Sequence, residues 1–455
     1  MTIVETGTAL RSGKLSVREL IDDTLQRTAL ANERLNLFIT ITEADARARA
    51  EKLDNDLARG VDHGPLHGIP TAYKDNIFTR GVRTTIGSKI FADFVPDIDA
   101  EIVSQLNTAG SIVIGKTGLH ELAYGVTSNN PHFGPVRNPW NPERIPGGSS
   151  GGSAGAVAAG LVPLAIGTDT GGSVRIPASF CGVVGLKPTF ERVSRRGVMP
   201  LGLTLDHVGP LAGTVRDVAL GFSLMATHGS SYIPPAHADL RGMRIGVPED
   251  FFVENIAPEV MLSFRAAVQT AAALGAHVTE IRLPDAGALN VVGRVIQLSE
   301  ASGLLARYLD RRGDIGRDVL LLVEQGRLIP ATDYVNAQRV RRVLAQEFSK
   351  IWMHLDCLMT PATPMTAPKI GETSVTFGSL TGSITEDVRS AATRLARPFN
   401  VLGWPALALP CGFSNEGLPI GLQLVGPPRQ EDTLLQAGAA LEDAFAIADR
   451  KPPHG

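Results

Sequence analysis

The sequence predicts an α/β fold: one large domain with a mixed, mostly parallel central β-sheet covered by helices on both faces. Short apolar strands alternate with helical segments from about residue 66 onward, and units that alternate in this way build a largely parallel sheet between layers of helices. A hydrophobic fraction of 44% with 20% charged residues is typical of a globular protein. No linker and no repeat divides the chain, so residues 1–455 are predicted to form a single domain.

The N-terminal segment, residues 1–60, is predicted to be helical. Ser16 is followed three residues later by Glu19, which is the pattern of a capping box. Apolar residues then recur at about one-turn spacing, which indicates an amphipathic surface helix. We interpret this segment as scaffold.

Residues 61–220 form the predicted core of the domain. A strand is expected at 69–73, ending at Lys74, followed by a helix at 101–109 and a strand at 111–114. Further strands are predicted at 243–247, 277–283, 356–360, 406–410 and 419–424, with helices at 258–275 and 431–447 and a largely helical stretch at 285–350.

The run of 24 residues from Ile145 to Thr168 carries no charge, which raises the possibility of a membrane span. Seven of these residues are glycine, and strongly apolar side chains are too few to favour lipid over water. The run is better explained by a buried Gly/Ala helix near 152–160 that leads into a buried strand at 161–167. No membrane association is therefore predicted.

Charge and composition exclude several classes of ligand. The net charge is −3 and the pI is about 6.4, with no basic stripe that could follow a nucleic-acid backbone. Three cysteines without a CxxC pair and ten scattered histidines predict no metal site, and no cofactor is expected. The first residues lack the pattern of a secretory signal, so a cytoplasmic location is expected.

Two motifs suggest other chemistries. Gly110-SIVI-Gly115-Lys116-Thr117 matches a phosphate-binding loop, but the residues between its glycines are β-branched and read as a strand. Ser149 and Ser153 each lie in a GxSxG pattern. A nucleophile elbow requires a preceding strand, and three prolines in NPWNPERIP argue against one.

The most informative segment is PGGSSGGSAGAVAAGLVPLAIGTDTGGSVRIPASFCGVVGLKPT, which ends at Thr189. Ser149 and Ser173 lie 24 residues apart within it, and Lys74, in GPLHGIPTAYKDNI, lies 99 residues before Ser173. With these spacings the chain closely resembles the amidase signature family. Further matches run through FGPVRNPWNP, LDHVGPLAGTVRD, TPATP and LPCGFSNEGLPIGLQLVGP, so the resemblance covers roughly residues 10–450.

The resemblance implies a serine hydrolase in which Lys74 draws a proton through Ser149 from the nucleophile Ser173. It also implies a cis peptide bond between Gly148 and Ser149. By the same resemblance, the backbone N–H groups of the nucleophile loop form an oxyanion hole, which comprises Thr170, Gly171, Gly172 and Ser173. Two adjacent glycines make such convergence of N–H groups sterically feasible.

Physical reasoning supports a lysine in this role. A serine hydroxyl needs a positioned base near neutral pH, and no histidine lies near either serine in the sequence. Burial lowers the pKa of a lysine, which allows its amine to act as a base. The alternative for Lys74 is an exposed lysine at a strand end.

The acyl pocket is expected, by alignment with the family, to include Gly125, Val126 and Thr127. Asp169 and Arg175 flank the nucleophile and are interpreted as an internal charge pair rather than as substrate ligands. Residues 285–350 are predicted to form a helical cap over the substrate entrance.

The predicted function is hydrolysis of a small or aryl amide, and possible substrates include carbamates (urethanes) and esters. The expected partner is therefore a small-molecule amide or carbamate, and the chain is expected to be a monomer or homodimer. The alternative is the glutaminase subunit of a tRNA-dependent amidotransferase. Family members of that kind are expected to carry an acidic residue just before the segment Pro398-FNVLG, whereas Thr393-RLARP is neutral to basic here. A non-catalytic binding subunit is less favoured because neither Lys74 nor either serine is lost.

Overall fold

Strands and helices alternate along the chain, as the sequence predicts. The computed structural model describes residues 2–453 except 228, 230, 231, 236, 380, 381, 448 and 449. The α-helices within these residues are α1 (Ile3–Arg11), α2 (Val17–Leu35), α3 (Glu43–Ala58), α4 (Glu101–Thr108), α5 (Gly151–Ala158), α6 (Arg175–Cys181), α7 (Val215–Met225), α8 (Pro258–Ala273), α9 (Ala286–Leu305), α10 (Arg317–Arg327), α11 (Ala331–Ser349), α12 (Val388–Arg394), α13 (Arg397–Val401) and α14 (Glu431–Phe445). Short 3-10 helices lie at Lys89–Phe91, Glu121–Ala123, Phe251–Val253, Ala306–Asp314 and Lys350–Met353.

The strands form one large sheet and two small ones within the described residues. They are β1 (Phe38–Ile41), β2 (Pro70–Lys74), β3 (Ile112–Thr117), β4 (Asn129–Asn130), β5 (Gly134–Pro135), β6 (Leu164–Asp169), β7 (Val184–Lys187), β8 (His207–Ala212), β9 (Arg244–Pro248), β10 (His277–Ile281), β11 (Cys357–Pro361), β12 (Ser374–Ser379), β13 (Gly382–Asp387), β14 (Ala406–Phe413) and β15 (Pro419–Val425). The large sheet has the order β1-β3-β2-β6-β8-β7-β14-β15-β11-β9-β10.

The predicted single α/β domain with a mixed sheet is confirmed. Parallel pairing, which we expected for most of the sheet, joins β2 to β3 and β6, and β9 to β10 and β11. The six other junctions of the large sheet are antiparallel. One reason is that β14 and β15 form a hairpin across a short connection, and a connection of that length can join only antiparallel neighbours.

Both faces of the sheet are buried. Along β11, Cys357 and Met359 pack into one hydrophobic cluster while Leu358, between them, packs into another. Successive side chains of a strand point to opposite faces, so the two clusters lie on opposite sides of the sheet. Helices α2, α3, α7 and α14 contribute to the first cluster, and α9, α11 and α13 contribute to the second.

The N-terminal helices follow the capping signals. The Ser16 side chain accepts from the backbone N–H of Glu19, and the Glu19 carboxylate accepts from the backbone N–H of Ser16, so the predicted capping box is present at the start of α2. Strand β1 interrupts the segment that we expected to be helical throughout. It pairs with β3 at the edge of the sheet.

The uncharged run forms buried structure, as predicted. It supplies α5 and β6, whose described side chains are almost all buried. The stretch 285–350 is helical and comprises α9, α10, α11 and two 3-10 helices. None of the helices in the described residues combines the length and the apolar character that a membrane crossing requires.

The phosphate-loop pattern lies in β3 and is not a loop. Lys116 is 0% exposed, and its amine donates to the carbonyl of Ile77 and the hydroxyls of Thr79 and Thr84. A lysine enclosed in this way cannot reach a bound phosphate, so this motif has no nucleotide-binding role. Ser149 is likewise not preceded by a strand, which excludes a nucleophile elbow at that serine.

The sheet topology positions the candidate site. Strands β2 and β6 are parallel neighbours, with Tyr73 opposite Ile166, so their carboxyl ends lie at the same edge. Lys74 is the last residue of β2 and Asp169 is the last residue of β6. Crevices at the carboxyl ends of strands are common ligand sites in α/β proteins.

Candidate active site

Lys74 lies inside the protein and contacts two hydroxyl groups. Its side chain is 0% exposed. The amine nitrogen Nζ lies 2.7 Å from Ser149 Oγ and 2.6 Å from Thr168 Oγ1, with the carbonyl oxygen of Thr168 at 3.4 Å. The alternative of an exposed lysine at the strand end is therefore wrong.

The environment of Lys74 favours its neutral form. Burial lowers the pKa of Lys74 to about 7, and the carboxylates of Asp206 and Asp169 only partly offset this effect. A lysine in water has a pKa near 10.4. Near neutral pH a large fraction of the Lys74 amine is therefore unprotonated and able to accept a proton.

Ser149 is held in a glycine loop just before α5. The Gly148–Ser149 peptide bond is cis, as the resemblance implies. Ser128 Oγ donates to the carbonyl of Gly147 over 2.8 Å, and a side chain at Gly148 would place a Cβ 2.9 Å from the backbone nitrogen of Ser128. The close approach requires glycine at position 148 and fixes the Ser149 hydroxyl beside Lys74.

Ser173 lies between β6 and α6 and lines a cavity of about 50 Å³. It is 8% exposed, whereas Ser149 is 0% exposed. The two serine loops are joined through the backbone, since the N–H of Ser150 donates to the carbonyl of Ser173 over 3.2 Å. Within the described residues, no hydrogen bond joins the two serine hydroxyls directly.

A buried ion pair organises the nucleophile loop. Arg175 Nε lies 3.0 Å from Asp169 Oδ2, and both side chains are fully buried. Although burial alone would raise the pKa of Asp169, the Arg175 guanidinium holds it well below its usual range. The Asp169 carboxylate also accepts from Asn400 and from the backbone N–H groups of Gly172 and Val174. The predicted charge pair is confirmed, and it shapes the loop that carries Ser173.

The predicted oxyanion hole needs one correction. The N–H of Gly172 donates to Asp169 Oδ1 over 2.8 Å, so this amide is already bound and does not serve as a donor to substrate. Within the described residues, the N–H groups of Thr170, Gly171 and Ser173 have no protein acceptor. Gly172 has another role: its φ is 121°, and an added Cβ would lie only 2.7 Å from the Ala396 Cβ, so the position admits only glycine.

Two of the three residues predicted for the acyl pocket line the cavity. Gly125 and Val126 line the cavity together with Ser173. Thr127 does not line it, because its hydroxyl turns away and lies 3.2 Å from Nδ1 of His120. The place of Thr127 in the acyl pocket stays a prediction.

Several residues of the site were not predicted. Thr168 bridges Lys74 and Asn76, whose Nδ2 lies 3.3 Å from the threonine hydroxyl. Its position in GTDTGGS, five residues before Ser173, is the signal that could have identified it. The cavity is also lined by residues of α9, α10, α12 and α13, which include Arg294, Arg389 and Arg397. No local pattern marks these arginines, since only the fold brings their helices together.

No candidate metal centre accompanies this site. Within the described ranges, no group of three or more histidine, cysteine, aspartate or glutamate side chains is arranged to hold an ion. The chemistry available at the site is that of hydroxyls, an amine, backbone N–H groups and arginines.

Known proteins resemble this chain in sequence and in fold. The family model described as Amidase matches residues 19–435. The chain is 38% identical over 487 residues to the A subunit of glutamyl-tRNA(Gln) amidotransferase from Geobacillus thermodenitrificans (strain NG80-2), covering 99% of this chain and 98% of that protein.

Two solved structures extend the comparison. One comes from a structure described as a vestigial protein complex that reveals the evolutionary origins of an s-triazine catabolic enzyme; it superposes with a TM-score of 0.91 at 37% identity and covers 98% of both chains. The other is the A subunit of glutamyl-tRNA(Gln) amidotransferase from Thermotoga maritima, with a TM-score of 0.80 at 33% identity, covering 97% of this chain and 94% of that chain.

Proposed function

The chain belongs to the amidase family, and on that basis we propose that it hydrolyses a C–N bond of an amide-type substrate through an acyl intermediate on Ser173. The observation that carries this proposal is the contact of 2.7 Å between the buried Lys74 amine and Ser149 Oγ, in a loop whose Ser150 N–H donates to the carbonyl of Ser173. The neutral Lys74 amine can accept a proton from the Ser149 hydroxyl, to which it is hydrogen-bonded. Ser149 can in turn accept the proton of Ser173, which activates Ser173 as a nucleophile.

The first half of the reaction forms the acyl enzyme. Ser173 Oγ attacks the carbonyl carbon, and its proton passes to the Ser149 hydroxyl as the proton of Ser149 passes to Lys74 Nζ. When the C–N bond breaks, Ser149 donates a proton to the leaving nitrogen and regains one from Lys74. Protonation is needed because an amide anion leaves poorly, and acid–base catalysis of this kind contributes about 10² to 10⁴-fold.

The second half returns the enzyme to its starting state. Water takes the place of the amine, gives a proton to the same relay, and attacks the acyl carbon. The ester bond to Ser173 Oγ then breaks, Ser149 returns a proton to that oxygen and regains one from Lys74 Nζ, and the acid is released. The N–H groups of Thr170, Gly171 and Ser173 stabilise the oxyanion in both steps. One donor of this kind typically contributes about 2.7 to 4 kcal/mol to the transition state.

Small or aryl amides are the proposed substrates, together with carbamates and esters, whose carbonyl groups form a similar tetrahedral intermediate, and the proposed setting is the cytoplasm. A second candidate is the glutaminase subunit of a tRNA-dependent amidotransferase. The near full-length similarity to amidotransferase A subunits favours this second candidate over a free small-amide hydrolase. A chain with that function would work in an assembly rather than as a monomer or homodimer.

Covalent labelling tests the proposed nucleophile. A fluorophosphonate probe is expected to label wild type at Ser173, as located by peptide mass spectrometry, and to leave Ser173→Ala unlabelled. Ser153→Ala is the matched control, because it removes the serine of the second GxSxG pattern while leaving Ser173 in place. Undiminished labelling of Ser173→Ala would exclude this function.

Substrate preference distinguishes the two candidates, measured as ammonia release for glutamine and primary amides and as release of p-nitroaniline or phenol for p-nitroanilides and aryl carbamates. The purified chain is assayed with L-glutamine, simple primary amides, p-nitroanilides and aryl carbamates. Turnover of glutamine well above that of all other substrates would support the amidotransferase subunit, and turnover of the other amides without glutamine would support the free hydrolase.

A further inference from the structure

Three arginines line the cavity that Ser173 faces. Arg294 projects from α9, Arg389 from α12, and Arg397 is the first residue of α13. Among the residues that the structure describes, the cavity lining contains no aspartate and no glutamate. The cavity lining near the candidate nucleophile is therefore positively charged, with Arg389 and Arg397 partly buried and Arg294 exposed.

Arg397 is the innermost of the three. An added Cβ at Gly171 would lie 3.6 Å from Arg397 Nε, which places the guanidinium against the loop that carries Ser173. Its Nε is buried without a hydrogen-bond partner, and NH1 has only a long contact of 3.4 Å with Asn290 Oδ1. A guanidinium has five N–H donors, so most of those of Arg397 remain available.

The positive charges are only partly balanced by the protein. Arg389 lies 3.7 Å from Asp318 Oδ2, but that carboxylate also binds His120 at 2.8 Å. Burial, together with repulsion from Arg294, lowers the pKa of Arg397 to about 10. Within the described part of the chain, no carboxylate pairs with Arg294 or Arg397. An arginine held near other cations and short of acceptors is best stabilised by an anionic ligand.

Building on the proposed amide hydrolysis, we propose that the substrate carries a carboxylate a few bonds from the scissile C–N bond and that Arg397, with Arg294 and Arg389, binds it. The class of substrate is a half-amide of a short dicarboxylic acid. Because Arg397 Nε lies against Gly171, two residues before Ser173, a carboxylate bound there lies close to the scissile bond, which favours a short dicarboxylic acid.

The same charges disfavour an α-amino group at this position. The ammonium of glutamine would lie among three cations, where like charges repel and the described lining offers no carboxylate to receive it. The structure thus gives a physical reason to expect a preference for glutaramate, which is glutamine without its amino group.

Matched substrates test the charge requirement. Malonamate, succinamate and glutaramate are compared with their neutral diamides, and glutaramate is also compared with L-glutamine. The best half-amide is expected to exceed its diamide in kcat/KM by about 10- to 100-fold, the range of one or two charge-assisted hydrogen bonds. Equal or better turnover of the diamides, or a clear preference for glutamine over glutaramate, would overturn the inference.

Variants of Arg397 test whether this residue causes the preference for a half-amide over its diamide. Arg397→Gln is expected to reduce the ratio of kcat/KM for half-amide over diamide by about 10-fold or more, and Arg397→Lys to restore part of it. Arg265→Gln is the matched control, since it removes an exposed arginine on α8 and should leave the ratio unchanged. An unchanged ratio in Arg397→Gln would contradict the assignment of Arg397.

Binding separates failure of this inference from failure of the proposed function. If no amide is turned over, titration calorimetry with malonate, succinate and glutarate still measures recognition of a carboxylate. Binding that is weakened by Arg397→Gln and unaffected by Ser173→Ala would support the arginine site without the hydrolase. Absence of both binding and a charge preference would exclude it.

Discussion

Two buried lysines on neighbouring strands, Lys74 and Lys116, have similar burial and different surroundings. Lys74 ends β2, Lys116 lies in β3, and in the ladder Tyr73 pairs with Lys116. Both are 0% exposed, and burial lowers the pKa of Lys74 to about 7 and that of Lys116 to about 8.

Their partners differ in the chemistry they allow. Lys116 contacts the carbonyl of Ile77 and two threonine hydroxyls, with the Asp75 carboxylate 4.0 Å away. Lys74 contacts the hydroxyls of Ser149 and Thr168, with the Thr168 carbonyl at 3.4 Å, and among the described residues has no carboxylate within the same range. A nearby carboxylate favours the ammonium form, whereas a serine hydroxyl can pass a proton to a neutral amine. Burial alone therefore does not identify the catalytic base, because both lysines are buried. The groups that contact the amine distinguish Lys74 from Lys116.

The largest expected effect is loss of activity in Lys74→Met. Methionine fills a similar volume and cannot accept a proton, so kcat/KM is expected to fall by up to about 10⁴-fold. Stability should fall less than in Lys116→Met, because removing the desolvated amine offsets the loss of its contacts with Ser149 and Thr168. Steady-state kinetics and thermal unfolding measure the two effects. Retention of more than a tenth of the activity would show that Lys74 is not the base.

Lys116→Met is expected to give the opposite result. It leaves the Asp75 carboxylate, the Ile77 carbonyl and two hydroxyls without their cation, and breaking a buried pair typically costs about 3 to 5 kcal/mol. The midpoint of urea unfolding should fall, while kcat/KM per folded molecule stays close to wild type. If activity fell as far as in Lys74→Met with stability intact, the distinction between the two lysines would not hold.

The pH dependence of activity reports the same distinction. Because burial lowers the pKa of Lys74, its reactive neutral form is present above about pH 7 and is lost as the pH falls below it. The value of kcat/KM should therefore drop about tenfold per pH unit below 7, which is about 100-fold at pH 5. The Lys116→Met variant should show the same fall of kcat/KM below pH 7. A flat profile between pH 5 and 7 would contradict a base with this pKa.

Much of the sheet was predictable because its strands are apolar and lie between glycine and proline residues. Strands β7 and β8 were not predicted. In β8 the sequence HVGPLA contains Pro210, which usually argues against a central strand. The direction of pairing was also less predictable than the strands themselves, since it depends on connections that bring distant segments together.

The residues of the candidate site likewise fall into those that the sequence predicts and those that only the fold reveals. Ser149 and Ser173 lie in glycine-rich segments, and their spacing from each other and from Lys74 carries the family resemblance that pointed to all three as candidates. The donation from Gly172 to Asp169 could not be predicted, because it depends on how the Arg175 ion pair bends the loop. Arg294 and Arg397 lie over 100 residues from Ser173 in sequence, and only tertiary packing places them at the cavity.

The smallest expected effect concerns Thr168, which positions the Lys74 amine without contacting the substrate. Thr168→Val keeps the shape and removes the acceptor 2.6 Å from Nζ, so kcat is expected to fall by about tenfold with little change in KM. Because that acceptor also stabilises the ammonium form, the acidic limb of the pH profile should move to lower pH in the variant.

Two further variants make this result specific to the position of the amine. Thr168→Ser retains the hydroxyl and should recover most of the lost rate. Thr71→Val removes a buried hydroxyl on the same strand as Lys74, one that donates to the carbonyl of Ile112, and should leave the pH profile in place. If Thr71→Val and Thr168→Val changed activity equally, the effect would reflect general packing of the strands, and the contrast between Lys74 and Lys116 would rest on Ser149 alone.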